Sequence, residues 1–174
     1  LENQVVIITG ASSGIGAATA RMFAQEGARI VLSARRAEML NEVAASLPSG
    51  TETLVVPTDV GDEAHVENLV NQTIERFGTI DVLVNNAGYG AFRPITELTS
   101  AEFDDVVRVN LRGVFLCTKY VLPHFYKQGG GAVVTVSSLA GKYGFAGGGA
   151  YCASKFGVMG LMESAFHEAR KHDV

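Results

Sequence analysis

Short apolar runs alternate along this chain with longer segments in which apolar residues recur at helical spacing. Within each short run, apolar residues stand at successive positions rather than at every second position. The runs cover residues 4–9, 28–33, 51–58, 80–85 and 132–138. Continuous runs of this length are typical of strands that are buried on both faces of a sheet. We therefore predict five strands from these runs.

The segments between the runs predict helices over residues 14–27, 36–47, 62–77, 100–127 and 150–171. Gly27 and Gly78 stand where the first and third of these helices should end, because glycine readily adopts the left-handed conformation that follows a helix. The fourth helix is expected to break near Gly113 or before Pro123. Strands that alternate with helices predict an α/β fold in three layers, with a parallel sheet in the middle.

Length and charge narrow the possible functions. The 174 residues carry 47% hydrophobic and 18% charged residues, and residues 1–174 are interpreted as one domain. A net charge of −4 without a basic stripe argues against nucleic acid as a partner. The chain lacks an apolar run of the roughly 18 residues that a membrane helix needs.

The cysteines and the N-terminal stretch bear on location. Cys117 and Cys152 do not have the spacing of metal ligands, and two cysteines without a disulfide framework favour a reducing compartment. The stretch LENQVVIITG lacks the features of a signal peptide. We therefore expect a cytoplasmic protein without a metal site.

The stretch TGASSGIG (9–16) lies between the first predicted strand and helix. Its glycines allow a sharp turn and close approach of a ligand, and the helix start offers free N–H groups to a phosphate. We expect a dinucleotide to contact a set of loop residues, namely Gly10, Ser12, Ser13, Gly14, Ile15 and Gly16. A purely structural turn is the alternative.

Two other interpretations of this loop were weighed. A P-loop requires a lysine, and the loop has none. Gly10 to Gly14 also match the G-x-S-x-G elbow of hydrolases, which would make Ser12 a nucleophile. That elbow normally follows several strands rather than the first, and His167 and His172 lie in a polar helix end. The dinucleotide interpretation is therefore preferred.

Polar or glycine-rich residues follow all five predicted strands. Because ligands of open α/β sheets bind beside the carboxyl ends of the strands, these residues are expected to form one site. After the glycine loop, the further candidates are Arg35, Asp59, Val60, Asn86, Ala87, Gly88 and Ser138. The arrangement indicates a Rossmann-type doubly wound sheet.

The end of the second strand bears on the choice of cofactor. An NAD-binding fold commonly has an acidic residue there for the ribose 2′-hydroxyl, whereas this chain has Ala34 and then Arg35. A guanidinium pairs with a 2′-phosphate through charge-assisted hydrogen bonds. NADP(H) is therefore favoured, and NAD(H) stays possible. Alternatively, Arg35 and Arg36 are solvated residues at a helix start.

Tyr151 and Lys155 stand four residues apart in YCASK. On a helix such residues share a face, and a nearby ammonium favours the ionised form of a phenol. A tyrosine in that setting can exchange a proton with a substrate oxygen. Taken alone, the pair also fits an ordinary surface contact, Ser138 a strand-end cap and Asn110 a polar position within a helix.

Together, TGASSGIG, NNAG, Asn110 in RVN, Ser138 and YCASK resemble the short-chain dehydrogenase/reductase family. The motifs occur in order over essentially the whole chain, and Ser138 precedes Tyr151 by 13 residues, as in that family. The resemblance implies an oxidoreductase that transfers hydride between NADP(H) and a carbonyl or alcohol substrate.

The resemblance also implies individual roles. Tyr151 would be the general acid/base, Lys155 would support it and hold the nicotinamide ribose, and Ser138 would bind the substrate oxygen. Asn110 would complete a proton relay. The loop residues, Arg35 and Asn86 would contact the cofactor, with Asp59 and Val60 near the adenine.

Members of the family are commonly homodimers or homotetramers, so a homo-oligomer is expected. They also continue with further strands and a variable substrate loop after the helix that carries the tyrosine. This sequence stops at Val174, so we expect the last strands to be lacking. A non-catalytic dinucleotide-binding fragment is therefore kept as the alternative function.

Overall fold

A computed structural model describes residues 1–172 and residue 174. Five parallel strands form one sheet in the order β3-β2-β1-β4-β5. The strands are β1 (Val5–Thr9), β2 (Arg29–Ala34), β3 (Thr53–Pro57), β4 (Val82–Asn85) and β5 (Ala132–Thr135). This arrangement confirms the predicted α/β class and the doubly wound sheet.

Helices connect successive strands. They are α1 (Gly14–Gln25), α2 (Ala37–Ala45), α3 (Glu63–Phe77), α4 (Ser100–Val107), α5 (Gly113–Gln128) and α6 (Gly149–Ala169). Gly27 and Gly78 follow α1 and α3 with φ angles of 81° and 78°. Both glycines therefore adopt the left-handed conformation that follows a helix end, as predicted.

The segment between α4 and α5 differs from the expected break. Arg108–Arg112 forms a π-helical turn that joins the two helices without interruption, so the irregularity lies just before Gly113 as a widened turn. Pro123 lies inside α5 and does not end it. Insertions of this kind accommodate one extra residue within a helix and often occur at functional sites.

The central strands β1, β2 and β4 are buried on both faces, which explains their continuous apolar runs, whereas β5 at the edge of the sheet is partly exposed. In β1, Val5 and Ile7 pack with α3 and α5, whereas Val6 and Ile8 pack with α1 and α2. All four side chains are fully buried. Successive side chains of a strand point to opposite faces, so a strand between two helical layers must be apolar at every position.

Strand β5 is shorter than predicted and ends at Thr135. Val136 still donates its backbone N–H to the Asn85 carbonyl (2.9 Å), but Ser137 and Ser138 already belong to the loop beyond the sheet.

No helix within the described part of the chain is long and apolar enough to cross a membrane. The described residues likewise contain no cluster of metal ligands.

Candidate active site

The glycine loop after β1 lies tightly against the loop after β4. Gly10 has a φ angle of 65°, and a Cβ atom there would lie 2.8 Å from the Ala87 Cα. A Cβ at Gly16 would lie 2.4 Å from the Gly10 carbonyl oxygen. Real Cβ atoms do not approach backbone this closely, so both positions require glycine for packing.

Asn86 joins the same two loops through hydrogen bonds. Its side-chain amide donates to the carbonyls of Thr9 (2.9 Å) and Gly10 (3.2 Å). The Thr9 hydroxyl accepts the backbone N–H groups of Asn86 (3.0 Å) and Ala87 (3.1 Å). The Asn86 amide thus supports the glycine loop, and the contact of Asn86 with a cofactor stays a prediction.

The first turn of α1 has its N–H groups available. Within the described chain, Ser13 makes no side-chain cap hydrogen bond and the first turn has no acidic residue. Helices α3 and α4 differ, since Asp62 caps α3 and Thr99 caps α4, whereas α2 and α6 also begin without a side-chain cap. An uncapped helix start beside a glycine loop suits a phosphate, because its N–H groups and dipole attract negative charge.

Two adjoining cavities lie along this edge of the sheet and form what we call the strand-end cleft. The arginine cavity has about 170 Å³ and is lined by Ser12, Arg35, Arg36, Asp59 and Val60, among others. The tyrosine cavity has about 370 Å³ and is lined by Ile15, Asn86, Phe92, Ser137, Tyr151 and Lys155, among others. Both cavities share Gly10, Ser13, Ala87, Gly88 and Tyr89.

In the arginine cavity, Arg35 and Arg36 are exposed. The Asp59 carboxylate is paired with Arg108 (2.9 Å) and accepts the Gly61 N–H (2.9 Å). One end of the cleft therefore offers exposed guanidinium groups beside a carboxylate whose position is fixed. Such an arrangement can accommodate an anionic group next to a nucleotide base that forms hydrogen bonds.

In the tyrosine cavity, Tyr151 and Lys155 lie on one face of α6, as predicted. The Lys155 Nζ lies 5.8 Å from the centroid of the Tyr151 ring. It also donates to the Val136 carbonyl (2.8 Å), which follows β5. Lys155 is buried, and burial lowers the pKa of its ammonium group from the ordinary value.

Asn110 lies in the π-helical turn and is fully buried. Its Oδ1 accepts the Tyr89 N–H (3.0 Å), and its Nδ2 donates to the Tyr89 carbonyl (2.8 Å) and to the Ser154 hydroxyl (3.1 Å). Asn110 therefore joins the loop after β4 to α6 beside Lys155. A Cβ at Gly88 would lie 3.1 Å from its Oδ1.

The two serines after β5 occupy different environments. Ser138 is exposed, and its Oγ accepts the Ala140 N–H (3.1 Å). Ser137 lines the tyrosine cavity, and its Oγ is buried without a hydrogen-bond partner among the described residues. The structure therefore brings Ser137 into the cleft lining, while the role assigned to Ser138 stays a prediction.

The sequence interpretation missed the residues that brace the cleft. The Tyr89 hydroxyl donates to Asp105, and the Asp105 carboxylate pairs with Arg108 (2.8 Å). Burial and the hydrogen bond to Asp105 raise the pKa of Tyr89 to about 12. The hydrogen bond from Tyr89, together with Arg108, lowers the pKa of Asp105. Of these contacts, the sequence could indicate only the ion pair between Asp105 and Arg108, which stand three residues apart on a helix.

A larger apolar groove of about 700 Å³ lies between β5 and α6. It shares only Ser137 with the strand-end cleft and contains neither Tyr151 nor Lys155. Its lining is mostly aliphatic and includes Leu122, Val158 and Met162. Size alone does not identify a site, and the groups able to bind a phosphate or move a proton lie in the smaller cleft.

Comparisons with known proteins identify the family of this chain. The family model described as short chain dehydrogenase matches residues 4–174. The chain is 40% identical to the 3-oxoacyl-[acyl-carrier-protein] reductase of Thermotoga maritima over 94% of its own length and 67% of that protein. It thus spans about two thirds of the length of this relative.

Two solved structures resemble the fold closely. The NAD⁺-bound xylitol dehydrogenase superposes with a TM-score of 0.96 at 35% identity, covering 99% of this chain and 67% of that one. A metagenomic short-chain oxidoreductase in complex with NADP gives a TM-score of 0.92 at 40% identity, covering 100% and 79%. Relatives of the same fold therefore bind either nicotinamide dinucleotide.

Proposed function

Because this chain belongs to the short-chain dehydrogenase family, we propose that it interconverts a carbonyl compound and an alcohol with NADP(H), using Tyr151 as the general acid/base. The observation that carries the proposal is the strand-end cleft, which joins an open helix start and two exposed arginines to the Tyr151–Lys155 pair. One cleft would thus combine cofactor binding at one end with proton transfer at the other.

The residues of the cleft fit a nicotinamide dinucleotide. The glycines at positions 10 and 16 let the loop pack closely against its neighbours where a Cβ would collide with backbone, and the uncapped start of α1 suits the pyrophosphate. Arg35, beside Asp59 and Val60, lies at the other end, where a ribose phosphate would be bound. Lys155 would hold the nicotinamide ribose, and the bound nicotinamide would supply or accept the hydride.

The chain itself would handle the proton. In reduction, the Tyr151 hydroxyl would donate its proton to the substrate oxygen, and in oxidation the phenolate would accept the alcohol proton. The Lys155 ammonium would favour the phenolate electrostatically, since its Nζ lies 5.8 Å from the ring centroid. Ser138 would donate a hydrogen bond to the same oxygen. Asn110, which is hydrogen-bonded to the Tyr89 carbonyl and to Ser154 of α6, would take part in a proton relay.

Turnover of the full-length protein tests this assignment. We expect NADPH oxidation with simple ketones, and a rate that falls about 100-fold or more in Tyr151→Phe, which loses only the hydroxyl. Ser138→Ala should fall similarly, whereas Ser137→Ala serves as the adjacent control. If Ser137→Ala lost activity and Ser138→Ala did not, the serine role would belong to Ser137. Normal turnover by Tyr151→Phe would disprove the mechanism.

Cofactor preference is tested separately. Loss of a charge-assisted contact should raise the KM for NADPH about tenfold to 100-fold in Arg35→Ala. The KM for NADH should not change, because NADH lacks the 2′-phosphate. Arg21→Ala, at an exposed arginine outside the cleft, is the control and should leave the KM for both dinucleotides unchanged. An equal effect on both dinucleotides would show that Arg35 acts on the fold rather than on the phosphate.

A non-catalytic dinucleotide-binding module is the alternative. It predicts that NADPH binds tightly while no carbonyl or alcohol is turned over by the full-length protein. The relative and the two structures compared above are all named as oxidoreductases, which favours catalysis.

We also propose a homodimer or homotetramer in a reducing, cytoplasmic compartment. Helices α5 and α6 expose Phe115 and Phe166, which an oligomer could cover. Cys117 and Cys152 are both free and buried. Light scattering on the purified protein tests the oligomeric state, and a monomer at micromolar concentration would contradict it.

A further inference from the structure

Two exposed aromatic rings stand beside Tyr151 and have no part in the reaction proposed above. Phe92 is 61% exposed and Phe145 is 52% exposed. The Phe92 ring lies edge-on to the Tyr151 ring at 5.6 Å between centroids, and the Phe145 ring lies 6.0 Å from Phe92. Phe92 also lines the tyrosine cavity. Exposed apolar surface grouped around a reactive side chain commonly marks a binding site.

The rings are held in place by the two loops that carry them. A Cβ at Gly90 would lie 2.4 Å from the Phe92 ring, and one at Gly148 would lie 2.5 Å from the Phe145 ring. Each ring therefore covers a glycine of its own loop. The Arg93 N–H donates to the Gly147 carbonyl (2.9 Å), which ties the two loops together.

The charged residue next to Phe92 in the sequence already has an ion-pair partner. Arg93 follows Phe92, but its guanidinium is paired with Glu102 (2.8 Å). Glu102 is held in turn by the Thr99 capping box at the start of α4. The cation nearest in sequence to Phe92 is thus already paired with a carboxylate.

We propose that Phe92 and Phe145 form a substrate subsite for an uncharged ring that contains the carbonyl carbon or is attached to it. This inference rests on the proposed function, because it takes Tyr151 as the group that meets the substrate oxygen. A ligand ring placed on the two phenyl rings would remove apolar surface from water and make offset or edge contacts with them. Alicyclic and aryl ketones, and the matching secondary alcohols, are therefore the substrate class.

The test compares full-length protein with Phe92→Ala, Phe145→Ala and the control Met22→Ala, an exposed apolar residue on α1. Substrates are cyclohexanone, acetophenone, acetone and an acetoacetyl thioester, each with NADPH. The natural protein should show a higher kcat/KM for the ring ketones than for the other two. Phe92→Ala and Phe145→Ala should each lose this preference by about tenfold through the KM for the ring ketones. Met22→Ala should behave as the natural protein does.

Ligand-observed NMR of acetophenone in the presence of NADP⁺ supplies a readout that does not depend on turnover. Binding that weakens in Phe92→Ala and Phe145→Ala supports the subsite even where no carbonyl is reduced, an outcome that would overturn only the proposed function. Unchanged acetophenone binding overturns the subsite. A preference of the natural protein for the thioester, or an equal loss of kcat for acetone and ring ketones, overturns it as well.

Discussion

At the scale of single residues, Lys155 shows how the site constrains the chain. Its side chain is 6% exposed, and one carbonyl, that of Val136, accepts a hydrogen bond from it. Removing an ammonium group from water is unfavourable, and this is why burial lowers its pKa. An aliphatic residue would suit the packing better, so the lysine is explained by its position beside Tyr151 rather than by stability.

We expect Lys155→Met to be at least as stable as the natural protein at neutral pH while losing nearly all turnover. The folded-state pKa of Lys155 lies below that of an unfolded lysine, about 10.4. Between the two values the unfolded chain holds a proton that the folded chain lacks, so stability rises with pH. The free energy of unfolding of the natural protein should therefore increase relative to that of the variant as the pH rises through this interval.

Urea unfolding of both proteins at neutral pH and at about pH 9.5 measures this change. Lys142→Met, at an exposed position, controls for the general effect of removing a lysine. A stability difference that did not depend on pH, or that moved in the variant's favour, would contradict the lowered pKa.

At the scale of elements, the start of α1 depends on close contact between backbones. Gly16 lies against the Gly10 carbonyl, and Gly10 lies against Ala87, so β1, α1 and the loop after β4 pack closely around the Asn86 amide. Asn86 adds hydrogen bonds across the same junction. The position of α1 relative to the strand-end cleft is set by these contacts.

Gly16→Ala should therefore disturb the cleft more than an ordinary glycine replacement does. A Cβ 2.4 Å from a carbonyl oxygen forces the helix start to move, at a cost of about 1–3 kcal/mol in unfolding free energy. NADPH affinity should fall at least about tenfold, because the N–H groups of α1 shift with it. Unfolding curves and NADPH titration measure the two effects.

Gly78→Ala is the matched control. Gly78 has a φ angle of 78°, and nothing lies within 4 Å of its Cβ position. Its replacement should cost about 1–2 kcal/mol through backbone strain alone and leave NADPH affinity unchanged. Equal loss of NADPH affinity in both variants would show that the contact at Gly16 has no special role.

At the scale of the whole molecule, the sheet separates two hydrophobic cores. Val66 of α3 belongs to the core on one face, and Val43 of α2 belongs to the core on the other. The central strands β1, β2 and β4 are buried from both sides, and the cleft opens where all five strands end. The architecture thus places the site at the carboxyl edge of the sheet, where Val60 of one core also lines the cleft.

Val43→Ala and Val66→Ala should each lower the free energy of unfolding by about 1–3 kcal/mol, since both valines are buried and leave a small cavity. The double variant should equal the sum within about 0.5 kcal/mol, because the two sites share no packing. Urea unfolding of the three variants measures this. A clear departure from the sum would mean that the sheet transmits strain between the cores.

The order of strands and helices was predictable because each depends on local patterns. Continuous apolar runs indicated β1 to β5, and the residues after them indicated the cleft. The errors lie where local patterns are weak. β5 ends at Thr135 rather than at Ser138, and the expected helix break is a π-helical turn at Arg108–Arg112.

The sequence by itself determined the α/β class, the glycine loop and the pairing of Tyr151 with Lys155, because these depend on neighbours in the chain. Only the tertiary structure decided that Asn86 supports Gly10, 76 residues away, and that Asp59 pairs with Arg108, 49 residues away. It also decided that the Phe92 ring lies against Tyr151. A parallel sheet brings the ends of distant strands together, and no local pattern specifies which side chains then meet.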